Sequence, residues 1–229
     1  MLFRSLRQGG VNPYVDPLTR VNYNRLGITD SRVLQVAEYQ ATAVRIQELE
    51  LAPIAGDFGL EHWRAVHKHI FQDVYDWAGK ERTLNLSKLD PVETWWKSRF
   101  EPHDRIHELA AQMAGEIKAW NRLKGLSHAD FTAGITKVYV MANHTHPFPE
   151  GNGRSTQTLL SQLAREAGYE LRFSNIDRGS WSMAAARSMP QVNVREPLLT
   201  RPADAKLIHA AFKAIVVPLE RVRQTDPER

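Results

Sequence analysis

With 229 residues, 42% of them hydrophobic and 24% charged, the chain has the length and composition of one ordinary globular core, which excludes wholesale disorder. Its formal charge of +4 and pI of about 9.4 permit acidic partners, but Lys and Arg are scattered among Asp and Glu, so no direct nucleic-acid binding is expected. The absence of cysteine removes disulfides, thiolate metal sites and a thiol nucleophile, and no stretch nears the ~20 apolar residues of a membrane span.

In chain order, the first seven residues, Met1 to Arg7, lack the apolar run of a leader, so a soluble protein is expected. Asp30 reads as an N-cap, and Val33, Leu34, Ala37, Ala41 and Val44 follow at helical spacing until Leu51-Ala52-Pro53 closes the run. Leu60, Trp63, Val66, Ile70, Phe71 and Val74 form a second stripe, stopped by Gly79. Between Arg82 and Ser87 the period changes to two, with Leu84 and Leu86 alternating against Thr83 and Asn85, and Asp90-Pro91 supplies turn chemistry for a short hairpin. Ile106, Leu109, Met113, Ile117 and Trp120 mark a third helix. Ser127-His128-Ala129-Asp130 then resembles a capping box, followed by Phe131, Ile135, Val138 and Ala142. Leu160, Leu163, Ala164 and Ala167 make the next stripe, with Gly168 as its stop. A late helix over 203–217 carries Leu207, Ala210, Ala211 and Ala214.

Between two of these helices lies His146-Pro147-Phe148-Pro149-Glu150-Gly151-Asn152-Gly153-Arg154. The glycines let backbone N–H groups approach an anion, and a helix starting there aims its positive end at the same point. Glu150 can hold Mg²⁺, Arg154 can neutralise phosphate charge, and His146 can accept a proton near neutral pH. The combination points to chemistry on a phosphorylated substrate. Other histidines have blander readings: His144 with His146 lacks a third metal ligand, and His103 with His107 lacks the Glu of a metalloprotease helix. Phe148 reads as an anchor into the core, and Trp95 and Trp96 read equally as target contacts or packing. No Gly-x-x-x-x-Gly-Lys-Ser/Thr loop is present, which removes the P-loop class.

This stretch resembles the signature of Fic-domain proteins, His-Pro-Phe-x-(Asp/Glu)-Gly-Asn-Gly-Arg-x-x-Arg, and eleven of its twelve positions fit. The segment from Ile70 to Lys80, with Arg82 to Lys88 after it, and Tyr23-Asn24-Arg25-Leu26-Gly27-Ile28 also resemble that family. The resemblance implies an all-α, Fic-type helical bundle with a short β-hairpin flap, in which 1–29 is an N-terminal extension packed on the core, 30–218 the Fic domain and 219–229 a flexible tail. It further implies a protein adenylyltransferase, toxin- or effector-like, that moves AMP from ATP onto a Tyr, Thr or Ser hydroxyl of a target protein. His146 would be the base and Glu150 the Mg²⁺ ligand. Phe148, Gly151, Asn152, Gly153, Arg154 and Gln157 would bind nucleotide. Thr83, Leu84, Asn85, Leu86, Ser87 and Lys88 would form the flap that holds the target as an added strand.

Gln157 departs from the pattern, since it stands where a second Arg clamps the terminal phosphate of ATP. Another basic residue such as Arg165 or Arg187 could substitute, or the donor could be a UTP or CDP-choline type molecule; a regulatory Fic-like binding module is the other alternative, against which both His146 and Glu150 are retained. The self-restraining motif Ser/Thr-x-x-x-Glu-Gly/Asn is absent from the sequence, so any restraint is expected from a separate small antitoxin-like partner. Cytoplasmic residence and export into a host cell as an effector both stay open.

Overall fold

The computed structural model describes residues 12–219 and is mostly helical, with small antiparallel sheets. Of the expected extension 1–29 and tail 219–229, residues 1–11 and 220–229 lie outside the described residues. Among these, the order is α1 (Ser31–Leu51), α2 (Leu60–Phe71), β1 (Ser87–Leu89), β2 (Trp96–Arg99), α3 (Ile106–Ala119), α4 (His128–Thr145), α5 (Asn152–Glu166), β3 (Tyr169–Leu171), α6 (Arg178–Arg187), β4 (Gln191–Asn193), β5 (Thr200–Arg201), α7 (Lys206–Ile215) and β6 (Val216–Pro218).

The centre of the bundle is α4, which packs against α3, α5 and α7, while α5 also packs on α2. Its stripe reads as the sequence predicts: Phe131, Ile135, Val138 and Ala142 are all buried. The Ser127 hydroxyl caps α4 by accepting from the Asp130 N–H at 3.2 Å, which satisfies one of the first-turn donors. Asp30 caps α1 in the same way, accepting from Arg32 and Val33 at 2.9 Å each.

Two helical faces differ from the expected ones. On α1, Val33 and Val44 are 55% and 58% exposed, and the buried residues are Leu34, Thr42 and Leu49. Apolar residues lie on more than one side of this helix, and the polar Thr42 is drawn inward by a hydrogen bond from Arg154. On α7 the buried face is Ile208, Ala211, Phe212 and Ile215: of the expected Leu207, Ala210, Ala211 and Ala214 only Ala211 is buried, because the face that carries Ile208, Phe212 and Ile215 offers more apolar area to the core. The helix also begins at Lys206, after an irregular 202–205 stretch, and gives way to β6 at Val216.

The hairpin is displaced as well. Residues 82–86 are irregular, and the strands are Ser87–Leu89 and Trp96–Arg99, paired antiparallel with Lys88 opposite Ser98. Before β1 the pairing fades after the Phe100 N–H donates to the Leu86 carbonyl at 3.3 Å, and the segment is held elsewhere: Thr83 N–H donates to the Tyr14 hydroxyl at 2.8 Å, and Asn85 Oδ1 accepts from the His103 N–H at 2.9 Å. The hairpin is also part of a larger sheet, in the order β1-β2-β4-β5, with β1 at one edge. A second pair, β3 with β6, ties the region after α5 to the end of α7.

Candidate active site

The connection between α4 and α5 is a tight, buried loop. His146 ends α4 in the left-handed conformation, with φ 44° and ψ 61°, and its N–H still closes the last turn on the Ala142 carbonyl at 3.0 Å. A non-glycine residue pays about 1–2 kcal/mol for that geometry, so the neighbours must hold it. The imidazole is only 8% exposed and stacks on Phe100 with ring centroids 3.5 Å apart. Burial, with the nearby charges of Lys88 and Arg82, holds its pKa well below the usual histidine value, while a hydrogen bond with the Asn143 backbone opposes the shift. His146 is therefore neutral at pH 7. With one ring nitrogen donating to that backbone, the other keeps a lone pair.

Phe148 sinks completely into the core, edge-on to Trp63 and stacked on His67 at 3.9 Å. Both ends of the Asn152 side-chain amide bind its backbone: Oδ1 accepts from the Phe148 N–H at 2.9 Å, and Nδ2 donates to the Phe148 carbonyl at 2.7 Å. Asn152 thus closes the loop. Gly151 stands at φ +79°, where a Cβ would lie 2.2 Å from the Phe71 ring, so both conformation and space demand glycine. Above Gly153 nothing lies within 4 Å of a built Cβ, leaving open space over the first turn of α5, where the N–H groups have no partner inside the helix. Glu150 is half-buried, its Oε1 accepts from the Gly151 N–H at 2.9 Å, and desolvation and Glu38 push its pKa up against the pull of Gly151, Arg154 and Lys88.

Arg154 does not point into empty space. Its guanidinium pairs with Glu38 of α1, donates to Thr42 Oγ1 at 2.9 Å and lies over the Phe71 ring at 4.6 Å. Glu38 also accepts from the Tyr75 hydroxyl. Beyond Arg154, between α1 and α5, runs a groove of about 350 Å³ lined by Ile46, Leu49, Gln157, Gln162 and Arg165 among others. Gln157 and Arg165 share this groove, whereas Arg187 is engaged with Glu93 and Asp90 across the sheet, its guanidinium 2.7 Å from the Glu93 carboxylate.

The Fic/DOC family model matches residues 57–164, a span that holds α2, the hairpin and the whole loop. The chain is 33% identical over 175 residues to the probable protein adenylyltransferase Fic of Salmonella typhimurium, covering 76% of this chain and 83% of that protein. The chain belongs to the Fic/DOC family. It is also 35% identical over 181 residues to the protein adenylyltransferase VbhT of Bartonella schoenbuchensis; that match covers 79% of this chain but 36% of VbhT, so the chain spans about a third of that relative. The fold is similar to the crystal structure of BepC, a VirB-translocated Bartonella effector protein from Bartonella tribocorum with bound AMPPNP: TM-score 0.77 at 22% identity, covering 90% of this chain and 97% of that one.

Within this Fic fold the hairpin stands beside the loop. Leu86 is buried in a small cluster with Phe100 and Met189, so the ring that stacks on His146 is the same one that anchors the hairpin. Lys88 is exposed on β1, near enough to act on both His146 and Glu150 through its charge. Thr83 is exposed and Leu84 and Ser87 are half-buried. Trp96 packs, buried beneath Arg201 at 3.8 Å, while Trp95 is 43% exposed. His144 Nε2 pairs with the Ser188 carbonyl at 2.9 Å, which makes it a link to α6.

Sequence reasoning missed three residues that touch this loop. His67 accepts the Gly79 N–H at Nδ1 (2.9 Å), which leaves its Nε2 proton to bind the Glu150 carbonyl at 2.9 Å; burial lowers its pKa to about 3. Arg82 reaches the backbone of His146 and Thr145, and Glu38 reaches Arg154. No periodicity or motif marks them, because their partners in the loop lie 63 or more residues away and most are main-chain groups.

Proposed function

We propose that this Fic protein is a protein adenylyltransferase: it transfers AMP from ATP to the hydroxyl of a Tyr, Thr or Ser on a target protein. The hydroxyl oxygen attacks the α-phosphorus as its proton passes to the free imidazole nitrogen of His146, the bond from the α-phosphorus to the bridging oxygen breaks, and pyrophosphate leaves. The N–H groups of Asn152, Gly153 and Arg154 at the start of α5 meet phosphate oxygens in the open space above Gly153, and Arg154 offsets charge on the departing phosphates. The Asn152 side chain shapes the loop from below. The observation that carries this reading is the neutral, desolvated His146 in the same short loop that opens α5, whose first turn is open on the Gly153 side.

The donor set suits Mg²⁺ shared with a substrate. Among the described residues no group of three or more His, Asp or Glu could cage a metal, and Glu150 supplies one half-buried carboxylate with an oxygen beyond its bond to Gly151, the arrangement of a Mg²⁺ bound chiefly by phosphates. When bound, the ion neutralises phosphate charge. Arg154 must leave Glu38 to meet the phosphates, so α1 competes with nucleotide within the chain itself. The hairpin supports target binding because β1 is an edge strand to which an extended segment can add. Restraint by a separate small inhibitor protein fits the lack of the self-restraining motif. No helix of the described residues is long and apolar enough to cross a membrane.

Gln157 keeps a second reading in play, a UMP or phosphocholine donor, since a neutral amide offers the terminal phosphate no charge. Incubating the protein and a cell lysate with labelled ATP, UTP, GTP or CDP-choline, then mapping the modified protein by mass spectrometry, separates the readings: AMP on a hydroxyl side chain is expected. Transfer should stop in EDTA and return with Mg²⁺ or Mn²⁺. Full activity in chelator would remove Glu150 from the site.

A further inference from the structure

Arg82 is 2% exposed, yet the hydrogen bonds of its guanidinium go to four main-chain carbonyls instead of a carboxylate. Nε donates to the His146 carbonyl at 2.7 Å, one terminal nitrogen donates to Leu84 at 2.7 Å, and the other donates to Thr145 at 3.2 Å and to Glu101. Its own N–H donates to the Pro147 carbonyl at 2.8 Å. We propose that Arg82 is the positioning residue that sets the orientation of His146: its planar fork gathers the end of α4, the root of the flap and the link from β2 to α3 onto one rigid point. The proposal deepens the adenylyltransferase reading and rests on His146 being its base.

Three features carry it. The carbonyl that Nε holds belongs to the one loop residue in a left-handed conformation without being glycine, so the bond fixes the peptide that would otherwise relax and swing the imidazole. Glu101, held by the opposite nitrogen, follows Phe100, the ring that stacks on the imidazole, and its N–H returns to the His144 carbonyl at 3.0 Å. Arg82 therefore fixes both the backbone behind His146 and the ring in front of it. Finally, a buried cation with no carboxylate among its hydrogen-bond partners is costly, and burial lowers its pKa to about 10 against the opposing pull of Tyr14 and Glu101. A neutral apolar side chain would fill the same volume more cheaply but could not satisfy four carbonyls that point at one place.

The test uses the full chain with Arg82→Lys, which keeps the charge and the stem but loses the fork, and Arg82→Gln, which loses the charge. Steady-state AMP transfer, ATP affinity by calorimetry, folded fraction by near-ultraviolet circular dichroism and the ¹⁵N signals of the His146 ring are measured on the same samples. Per folded molecule, kcat should fall about 10–100-fold in both variants while KM for ATP stays within about twofold, since a misplaced base costs rate and not binding. The His146 ring signals should move, with lysine failing to rescue. Wild-type kcat in a folded variant, a loss that merely tracks the unfolded fraction, a rise in KM at constant kcat, unmoved ring signals, or outright unfolding of both variants would each overturn the proposal. His146→Ala runs alongside: if it still transferred AMP, the base reading would fail, and the ring signals would decide the hold of Arg82 on His146.

Discussion

The loop from 145 to 154 and the hairpin from 83 to 99 lie side by side, and they are built on opposite principles. The backbone of the loop is tied at several points from beneath: Phe148 by burial and by Asn152, the Glu150 carbonyl by His67, the His146 and Thr145 carbonyls by Arg82. Inside the sheet, the hairpin is paired on one side only, its first strand three residues long and exposed at Lys88. The difference teaches a division of labour. Under the proposed function, chemistry on a phosphate would take its fixed geometry from the core, whereas recognition of an extended target by main-chain bonds would use the open edge of β1 and little side-chain identity.

The sharpest way to break that contrast is to remove the loop side chain assigned the proton transfer while leaving the backbone ties in place. His146→Ala should cut AMP transfer about 10²–10⁴-fold while melting temperature and ATP binding stay close to wild type. Wild-type transfer by the purified variant would break the mechanism.

Next in size is a contrast between two glycines two residues apart. Gly151→Ala meets the Phe71 ring and a positive φ, so it should destabilise the protein by about 2–5 kcal/mol in urea denaturation. Gly153→Ala meets nothing and sits in a helix, so stability should hold or rise by up to about 1 kcal/mol, yet transfer should fall because the added methyl occupies the space given to phosphate. Equal effects of the two on stability would show that the loop is not held as described.

Acid provides a third, smaller lever. His67 is neutral in the folded state, its pKa lowered to about 3, but titrates near 6.5 when unfolded. Between those values the unfolded chain binds the extra proton, so this residue's contribution is intact above about pH 6.5 and drains by up to about 1.4 kcal/mol per pH unit below it. His67→Gln should flatten the fall in stability measured by denaturant titration from pH 7 to pH 5. An unchanged slope would deny the buried neutral imidazole.

How far the sequence foretold this follows from the range of each interaction. The α4 stripe was legible because Phe131, Ile135, Val138 and Ala142 recur at helical spacing, and all four are buried. The α1 face was not, since burial there is decided by Arg154 drawing in Thr42 and Glu38 from across the fold. Strands β4 and β5, three and two residues long, are too short for an alternation to be seen. At the site, the signature residues were readable by type and spacing. Their supports were not, because a carbonyl that accepts from Arg82 has no sequence of its own.

The smallest effect concerns Gln157, the departure from the family pattern, where loop and nucleotide specificity meet. It lines the groove beyond Arg154 together with Arg165, whose guanidinium donates to the Glu50 carbonyl at 2.8 Å at the surface of α1. Arg165 is thus partly engaged, and the groove offers the terminal phosphate little free positive charge. Gln157→Arg adds a charge-assisted contact worth about 1.5–3 kcal/mol in gross terms, reduced by the cost of desolvating the guanidinium. That contact lies away from the reacting phosphorus, so it should lower KM for ATP with kcat nearly constant and tighten ATP relative to ADP. Calorimetry with both nucleotides checks it. No change in ATP affinity, together with tight binding of a UDP- or CDP-linked donor by the wild type, would show that the neutral amide selects a different donor and would replace AMP transfer with transfer from that molecule.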